Sequence, residues 1–349
     1  MAKPVLKIGV MGCGNIARQF VAAVAKSPHV KVAAAASRDA AKAQEFATTL
    51  DVARAYGSYD ALLADDSLDI IYVALPNNMH VEWVVKAAQS GKHVLSEKPL
   101  ALSLAEAQSM FAAAKRHGVM LLEAYPYWFQ PQTRDMLQLI HSGAIGQVRN
   151  VHASFGFNLL HAPNVQGNIR MKPDMGGGAL LDAGSYAMSL IRLAMGDAPE
   201  RVTAHSTPAD TGVDIATSAT LFYSGGRSAQ LFCAMNVGYH RVATILGSGG
   251  VIETEFLNHT SDDPNHPLKY LPSLMRVRRG FAGTLPLEEV RSATGSGFAF
   301  CADAFANVIH AKDFAAIERA ARASCDIAAT LEAIGQSAAS GQPAQVTTA

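Results

Sequence analysis

Three side chains in this sequence have the types and spacing to move a proton on and off a hydroxyl group. Lys98 stands in Ser96-Glu97-Lys98-Pro99, and Asp182 and Tyr186 stand four apart in Asp182-Ala183-Gly184-Ser185-Tyr186. On a helix that spacing puts the acid and the phenol on one face, where they fit proton transfer and hydroxyl recognition. Gly184 between them removes a side chain and lets another backbone or a bound ring come close. Pro99 biases Lys98 toward extended backbone and ends its strand, which aims the ammonium into a cleft. A free phenol ionises near pH ~10 and is a poor base at neutrality. A neighbouring ammonium would therefore have to favour the phenolate or polarise the reacting oxygen. Each feature alone also has a plainer account: a solvated Glu-Lys loop, or a core tyrosine bonded to a buried Asp182.

A second group of residues has the pattern of a phosphate cradle. Gly12-Cys13-Gly14-Asn15-Ile16-Ala17 lies between a short apolar run and a helical stretch and matches G-x-G-x-x-G/A with alanine third. Gly12 allows the tight turn, Gly14 lets backbone approach a pyrophosphate, and Asn15 and Ile16 offer the unpaired amides of a helix start. After the second strand stands Ser37-Arg38-Asp39, where an acid would hold a ribose 2′-hydroxyl and an arginine a 2′-phosphate. Arg38 with Ser37 points to NADP, with NAD possible through Asp39; as a plainer alternative, Arg38 only caps a surface turn. Two more segments follow strands, Leu75-Pro76-Asn77-Asn78-Met79-His80 and Ser96–Pro99. Both fall at carboxyl ends of parallel strands, where such sheets bind ligands. The dinucleotide contacts expected there are Leu75, Pro76, Asn77, His80, Glu97 and Lys98.

These groups need a frame, and the hydrophobic rhythm supplies one. Strand-like Val5–Val10, Val30–Ala36, Asp69–Ala74, His93–Leu95 and Val119–Glu123 alternate with helical Asn15–Lys26, Ala40–Leu50, His80–Gln89 and Ser103–His117. That alternation predicts an α/β Rossmann domain with a doubly wound parallel sheet over residues 1–123. From 124 to 349 the rhythm predicts an α+β domain with a large open, mostly antiparallel sheet. Its strands are Val148–Phe157, Ala198–Thr207, Asp214–Tyr223, Ser228–Asn236, Arg241–Leu246 and Val251–Phe256, with helices at Ala179–Met195, Ala299–His310 and Phe314–Ile334. Ser224-Gly225-Gly226 and Ser248-Gly249-Gly250 read as hairpin turns. Leu231, Cys233 and Met235 alternate with the also apolar Phe232 and Ala234, so the sheet's second face needs a partner. A homodimer or homotetramer through that open sheet is expected.

Composition narrows the function classes. Twenty-nine Lys and Arg balance 29 Asp and Glu over 349 residues, which leaves no electrostatic footprint for nucleic acid or anionic membrane. The densest basic run, Arg276, Arg278 and Arg279, is short and reads as a solvated strand or loop edge. No apolar stretch approaches the ~18 residues of a membrane span, and the N-terminus lacks a secretory h-region. The four cysteines, Cys13, Cys233, Cys301 and Cys325, have no C-x-x-C pair or zinc spacing, so a reducing, cytoplasmic setting is expected. His80, His93, His161 and His205 lack a ligand spacing, and no metal is expected. Neither G-x-S-x-G nor H-E-x-x-H occurs, which disfavours hydrolase chemistry.

From GCGNIA through PNNMH and SEKP to GGGALLDAGSY, the joint order and spacing resemble the glucose–fructose oxidoreductase/inositol dehydrogenase/MocA family. The resemblance implies a nicotinamide enzyme in which Lys98 lies near the nicotinamide and the reacting oxygen, and the family's catalytic aspartate falls on Asp182, which would orient the substrate or the lysine. Many members have histidine where this chain has Tyr186. The tyrosine is similar to the branch holding glucose–fructose oxidoreductase, dimeric dihydrodiol dehydrogenase and NADP-dependent D-xylose dehydrogenases. Leu122-Glu123-Ala124, then Trp128, Phe129 and Pro131-Gln132, is similar to a stretch of the latter two groups, with Trp128 where they usually have arginine. That family has a periplasmic member with a twin-arginine export signal, which this chain lacks. The expected reaction is hydride transfer between nicotinamide and a carbinol or carbonyl carbon of a sugar, polyol or diol, aldose 1-dehydrogenation first. Dihydrodiol oxidation or keto-sugar reduction is the alternative, and a non-catalytic NADP(H) sensor or corepressor the alternative of another class. The segment Asn158–Asp174, with His161, Asn164, Asn168, Arg170 and Asp174, has polar groups enough for a polyol.

Overall fold

Strand β1 (Leu6–Met11) buries its last four residues, as a central strand covered on both faces must. In the computed structural model, which describes residues 3–348, it is followed by α1 (Asn15–Val24), β2 (Val30–Ala36), α2 (Ala40–Thr49), β3 (Arg54–Tyr56) and α3 (Tyr59–Leu63). Next come β4 (Ile70–Val73), α4 (His80–Gln89), β5 (His93–Glu97), α5 (Leu104–Arg116) and β6 (Leu121–Ala124). The six strands form one parallel sheet in the order β3-β2-β1-β4-β5-β6. This is the doubly wound arrangement. Register puts Ala36, Met11, Val73 and Ser96 at one level. Gly12, Ser37, the Leu75 turn and Lys98 therefore all leave the sheet along one carboxyl edge.

The hydrophobic rhythm misses β3 and α3. Arg54–Tyr56 has three half-buried residues and no apolar run, and backbone pairing to β2 makes it a strand. Ser58 starts α3 by accepting from the Ala61 amide at 3.1 Å.

Contacts divide the chain into two compact units. One takes residues up to Ala101, Ala105–Pro126 and Ser296–Arg322; the other takes Leu102–Leu104, Tyr127–Gly295 and Ala323 onward. In the first, the downstream helix Gly297–Ala311 sets Phe298 edge-on against Phe20 of α1, with ring centroids 6.0 Å apart.

The second unit is built on α6 (Pro131–His141), β7 (Val148–Asn158), a π-helical turn at Leu180–Gly184, α7 (Ser185–Met195), β8 (Arg201–Pro208), β9 (Asp214–Phe222), β10 (Ser228–Ala234), β11 (Asn236–Gly247) and β12 (Gly250–Glu255). Its nine-stranded sheet runs Glu288–Arg291, Leu274–Arg279, β12, β11, β7, β10, β9, β8, Ala344–Gln345. Only β10 with β7 is parallel among the described pairs. Both Gly-Gly turns make the expected antiparallel hairpins. Arg276 and Arg279 lie on the strand next to the sheet edge and pair with Glu253 and Glu288, in line with a solvated basic edge.

One face of this sheet is the core. Leu231 and Cys233 of β10 and Arg241, Ala243 and Ile245 of β11 are buried there. The opposite face is mixed rather than wholly apolar. Ser154, Thr203, Ser218, Thr220, Gln230 and Thr244 line it together with Phe232 and Val242. The alternate positions of β9, β10 and β11 also carry the apolar Ala216, Phe222 and Leu246, and Ala234 is buried.

Candidate active site

The nucleotide edge is shaped by two glycines with different jobs. Gly12 has φ +101°, and a Cβ there would stand 2.5 Å from the Ala74 carbonyl oxygen, so only glycine fits the turn. At Gly14 an added Cβ would meet nothing within 4 Å, and no side chain caps α1, whose exposed start is Gly14-Asn15. Open space before uncapped helix amides is what a pyrophosphate requires. After β2, Ser37 is buried and its Oγ accepts from the Asp39 amide at 3.2 Å. Asp39 Oδ1 accepts from the Ala41 and Lys42 amides at 2.9 and 3.2 Å, capping α2. Arg38 is exposed and interacts with the buried Tyr59 of α3. Burial raises the Tyr59 phenol above its ordinary value, and the Arg38 charge opposes this. The residues fit a dinucleotide: Arg38 sets an exposed cation directly after β2, and Asp39 Oδ1 is taken up by the α2 amides.

Lys98 follows β5 directly and is half-buried. Its surroundings are braced by buried polar groups. The His80 ring sets Nδ1 2.9 Å from the Pro99 carbonyl oxygen and Nε2 2.9 Å from that of Leu75, tying the two ligand-edge turns together. Burial lowers the His80 imidazole from its ordinary value. Glu123 Oε1 accepts from the Leu100 amide at 2.8 Å, and Tyr72 donates to Glu97. His80 and Glu97 are therefore enclosed by protein, whereas Pro76, Asn77 and Lys98 retain exposure.

The second unit holds the acid and the phenol. The helix begins as a π-helical turn over Leu180–Gly184 that holds Asp182 and continues as α7, which holds Tyr186. Asp182 Oδ2 accepts from Arg170 Nε at 2.6 Å. The Tyr186 hydroxyl accepts from Asn258 Nδ2 at 2.9 Å. Asp182 first, and Tyr186 more weakly, raise the Arg170 guanidinium above its usual value. Gly184 does not leave open room: a Cβ would lie 3.0 Å from Cys233 Sγ, so the glycine seats the turn on β10.

Aromatic rings surround the phenol. Phe155 meets Tyr186 edge-on at 5.6 Å, Phe157 lies 5.8 Å from Phe155, and Tyr127 lies 6.0 Å from Tyr186. Tyr127 is fixed by Ser189 at 2.7 Å and by Trp128 Nε1 at 2.9 Å. Gln132 pins α6 to the sheet, donating to Thr254 Oγ1 at 2.8 Å and the Glu255 carbonyl at 2.9 Å. Arg241 and Asn258 escaped the sequence reading. A cation alternating with Ala243 and Ile245 on a core-facing strand is the signal that marks Arg241; nothing local marks Asn258. Among the described residues no cluster of three His, Cys, Asp or Glu is placed to hold a metal, and all four cysteines are buried and outside any disulfide. Among the described residues no helix is long and apolar enough to cross a membrane.

The chain is similar to known proteins in both halves. Residues 6–125 match the model of an oxidoreductase family with an NAD-binding Rossmann fold, and residues 133–253 match the GFO/IDH/MocA C-terminal domain. A D-xylose 1-dehydrogenase (NADP(+)) of Haloferax volcanii is 42% identical over 69% of this chain and 74% of its own. A trans-1,2-dihydrobenzene-1,2-diol dehydrogenase of Xenopus tropicalis is 36% identical over 71% of this chain and 74% of its own. A 3-ketoreductase from Actinomadura kijaniata, solved with NADP and TDP-benzene, superposes with TM-score 0.82 at 29% identity, over 96% of this chain and 98% of that one. Two consecutive family domains in the expected order, with relatives of this identity and coverage, place the chain in the GFO/IDH/MocA oxidoreductase family.

Proposed function

We propose that the chain is an NADP-dependent oxidoreductase acting on a carbinol or carbonyl carbon of a sugar or polyol, with aldose 1-dehydrogenation as its reaction. Residues 1–123 bind the nucleotide and residues 124–349 the substrate. The observation that carries this reading is the Tyr186 hydroxyl: a buried phenol oriented by Asn258 and ringed by Arg170 and aromatic groups.

The nucleotide would be held by Gly12, Gly14, Asn15 and Ile16 at its pyrophosphate, by Ser37 and Arg38 at its 2′-phosphate, and by the Leu75-Pro76-Asn77 turn beside Lys98. His80 and Glu97 shape that turn from within. Bound NADP supplies the nicotinamide that exchanges a hydride with the substrate carbon. Tyr186 Oη takes the substrate hydroxyl's proton in oxidation and returns it in reduction. The Lys98 ammonium polarises the reacting oxygen. Asp182, through Arg170, orients the remaining hydroxyls. Phe155 and Phe157 favour a second reading, oxidation of an aromatic dihydrodiol against their rings. Retention of both Lys98 and Tyr186 argues against a non-catalytic sensor.

The test is NADPH formation from NADP with a panel of aldoses, polyols and aromatic dihydrodiols. Turnover on a pentose or hexose supports the reading, turnover on diols alone moves it to the second, and tight NADPH binding without turnover favours a sensor. We further propose self-association as a homodimer or homotetramer through the outer sheet face, where Val242 of β11 stands exposed. A monomer at micromolar concentration in sedimentation overturns it. A cytoplasmic location fits four buried thiols outside any disulfide; cell fractionation tests it.

A further inference from the structure

Arg241 is a buried cation without a carboxylate. Its side chain enters the core face of the second sheet from β11 and is 6% exposed. Nη2 donates to Asn258 Oδ1 at 3.1 Å, while Nε is buried with no hydrogen-bond partner. Among the described residues no Asp or Glu forms an ion pair with it. The guanidinium lies instead over rings, 4.1 Å from the Tyr186 centroid, 4.8 Å from Phe155, 5.0 Å from Phe256 and 5.5 Å from Tyr127. A side-chain hydrogen bond also links it to Tyr186. Burial pulls Arg241 below its ordinary value and the Tyr186, Tyr239 and Tyr127 phenols pull it back. A guanidinium so placed stays cationic through neutrality.

An uncompensated buried charge costs several kcal/mol unless an opposite charge answers it. The phenol that answers it most strongly is Tyr186, whose ring centroid lies 4.1 Å from the guanidinium. We propose that Arg241 is a positioning residue for the reaction: with Asn258 it fixes the Tyr186 hydroxyl and supplies the fixed positive charge that faces negative charge developing on Oη during proton transfer. In oxidation the substrate O–H bond breaks, the proton passes to Oη, and the hydride leaves its carbon for the bound nicotinamide; reduction reverses both transfers. Arg241 thus acts on the proton half of the reaction and touches neither substrate nor nucleotide. The other titratable or charged groups around Tyr186 are Tyr239 from β11, Tyr127 from the turn after β6, Arg170 from the loop after β7, and Asp182 beyond Arg170. His259 faces Arg241 and is held neutral in part by it.

This inference rests on the oxidoreductase reading. The experiment compares native protein with Arg241→Met, Arg241→Gln and Arg241→Lys, each also in a Tyr186→Phe background, after circular dichroism has shown which variants fold. Both neutral variants should lower kcat about ten- to hundredfold with KM within about threefold, and R241K should recover part of the loss. In the Y186F background R241M or R241Q should cost nothing further, since the charge acts through that oxygen. A readout without turnover is the [ζ-13C]tyrosine signal that Y186F removes: its titration should move about one pH unit upward in R241M or R241Q. Native kcat and an unmoved signal in either folded neutral variant overturn the role of Arg241. Losses that add fully to Y186F also overturn it, by assigning Arg241 to packing alone. Native protein that turns over no member of the panel overturns the oxidoreductase reading, a failure separate from that of the tyrosine signal.

Discussion

Arg38→Ala should change which nucleotide the protein prefers rather than whether it binds one. Arg38 is the exposed cation after β2, and Asp39 already spends Oδ1 on the α2 amides. A charge-assisted hydrogen bond to a phosphate contributes about 1.5–3 kcal/mol. Removing it should weaken NADPH binding about ten- to hundredfold, with NADH binding changed less than about threefold. Because Arg38 is exposed, the native preference for NADPH should also shrink as salt rises from ~0.05 to ~0.5 M. Titration by nucleotide fluorescence reads both quantities on one sample. Equal weakening of both nucleotides would assign Arg38 to adenine stacking or loop structure. An unchanged NADPH affinity would refute the 2′-phosphate contact altogether.

Asp39→Ala removes the α2 cap and should cost about 0.5–2 kcal/mol in urea unfolding while leaving the nucleotide preference unchanged; a selective loss of NADH binding would instead put Asp39 on a ribose. His259 is lowered to about 4 by burial, then by Arg241 and His266. Its unfolded value is near ~6.5, so between about pH 6.5 and 4 the unfolded chain binds a proton the folded state refuses, and stability falls as pH drops through that window. The native loss from pH 7 to 5 should exceed that of His259→Gln by up to about 2 kcal/mol, and equal losses would refute it. Gly184→Val drives a side chain into Cys233 and should destabilise by about 1–3 kcal/mol in the same assay. Full stability in G184V would mean that the seat on β10 is not tight.

What was legible in the sequence was what is local. Glycines punctuate β1 and α1, apolar alternation marks the helix His80–Gln89 to the residue, and the two Gly-Gly turns announce their hairpins. Short elements held by pairing alone, such as Arg54–Tyr56, leave no periodic trace. The π-helical turn before Ser185 was not legible either, because it depends on the fit of Gly184 against β10. Site residues divide the same way. Gly12, Lys98 and Tyr186 belong to contiguous motifs, whereas Arg241 and Asn258 become neighbours of Tyr186 only when β11 and the segment after β12 fold beside α7. Asp39 shows the converse: an acid after the second strand suggests a ribose, yet the helix start claimed it.

Tyr186→Phe removes the oxygen proposed to carry the proton in the NADP-dependent reaction. NADPH formation should be followed for native and variant protein on the substrate that the native protein turns over, beside NADPH binding by fluorescence. Loss of the proton-transfer oxygen should lower kcat by about 10²–10⁴-fold and leave NADPH affinity within about twofold. A variant that turns over at the native rate would contradict the assignment of Tyr186.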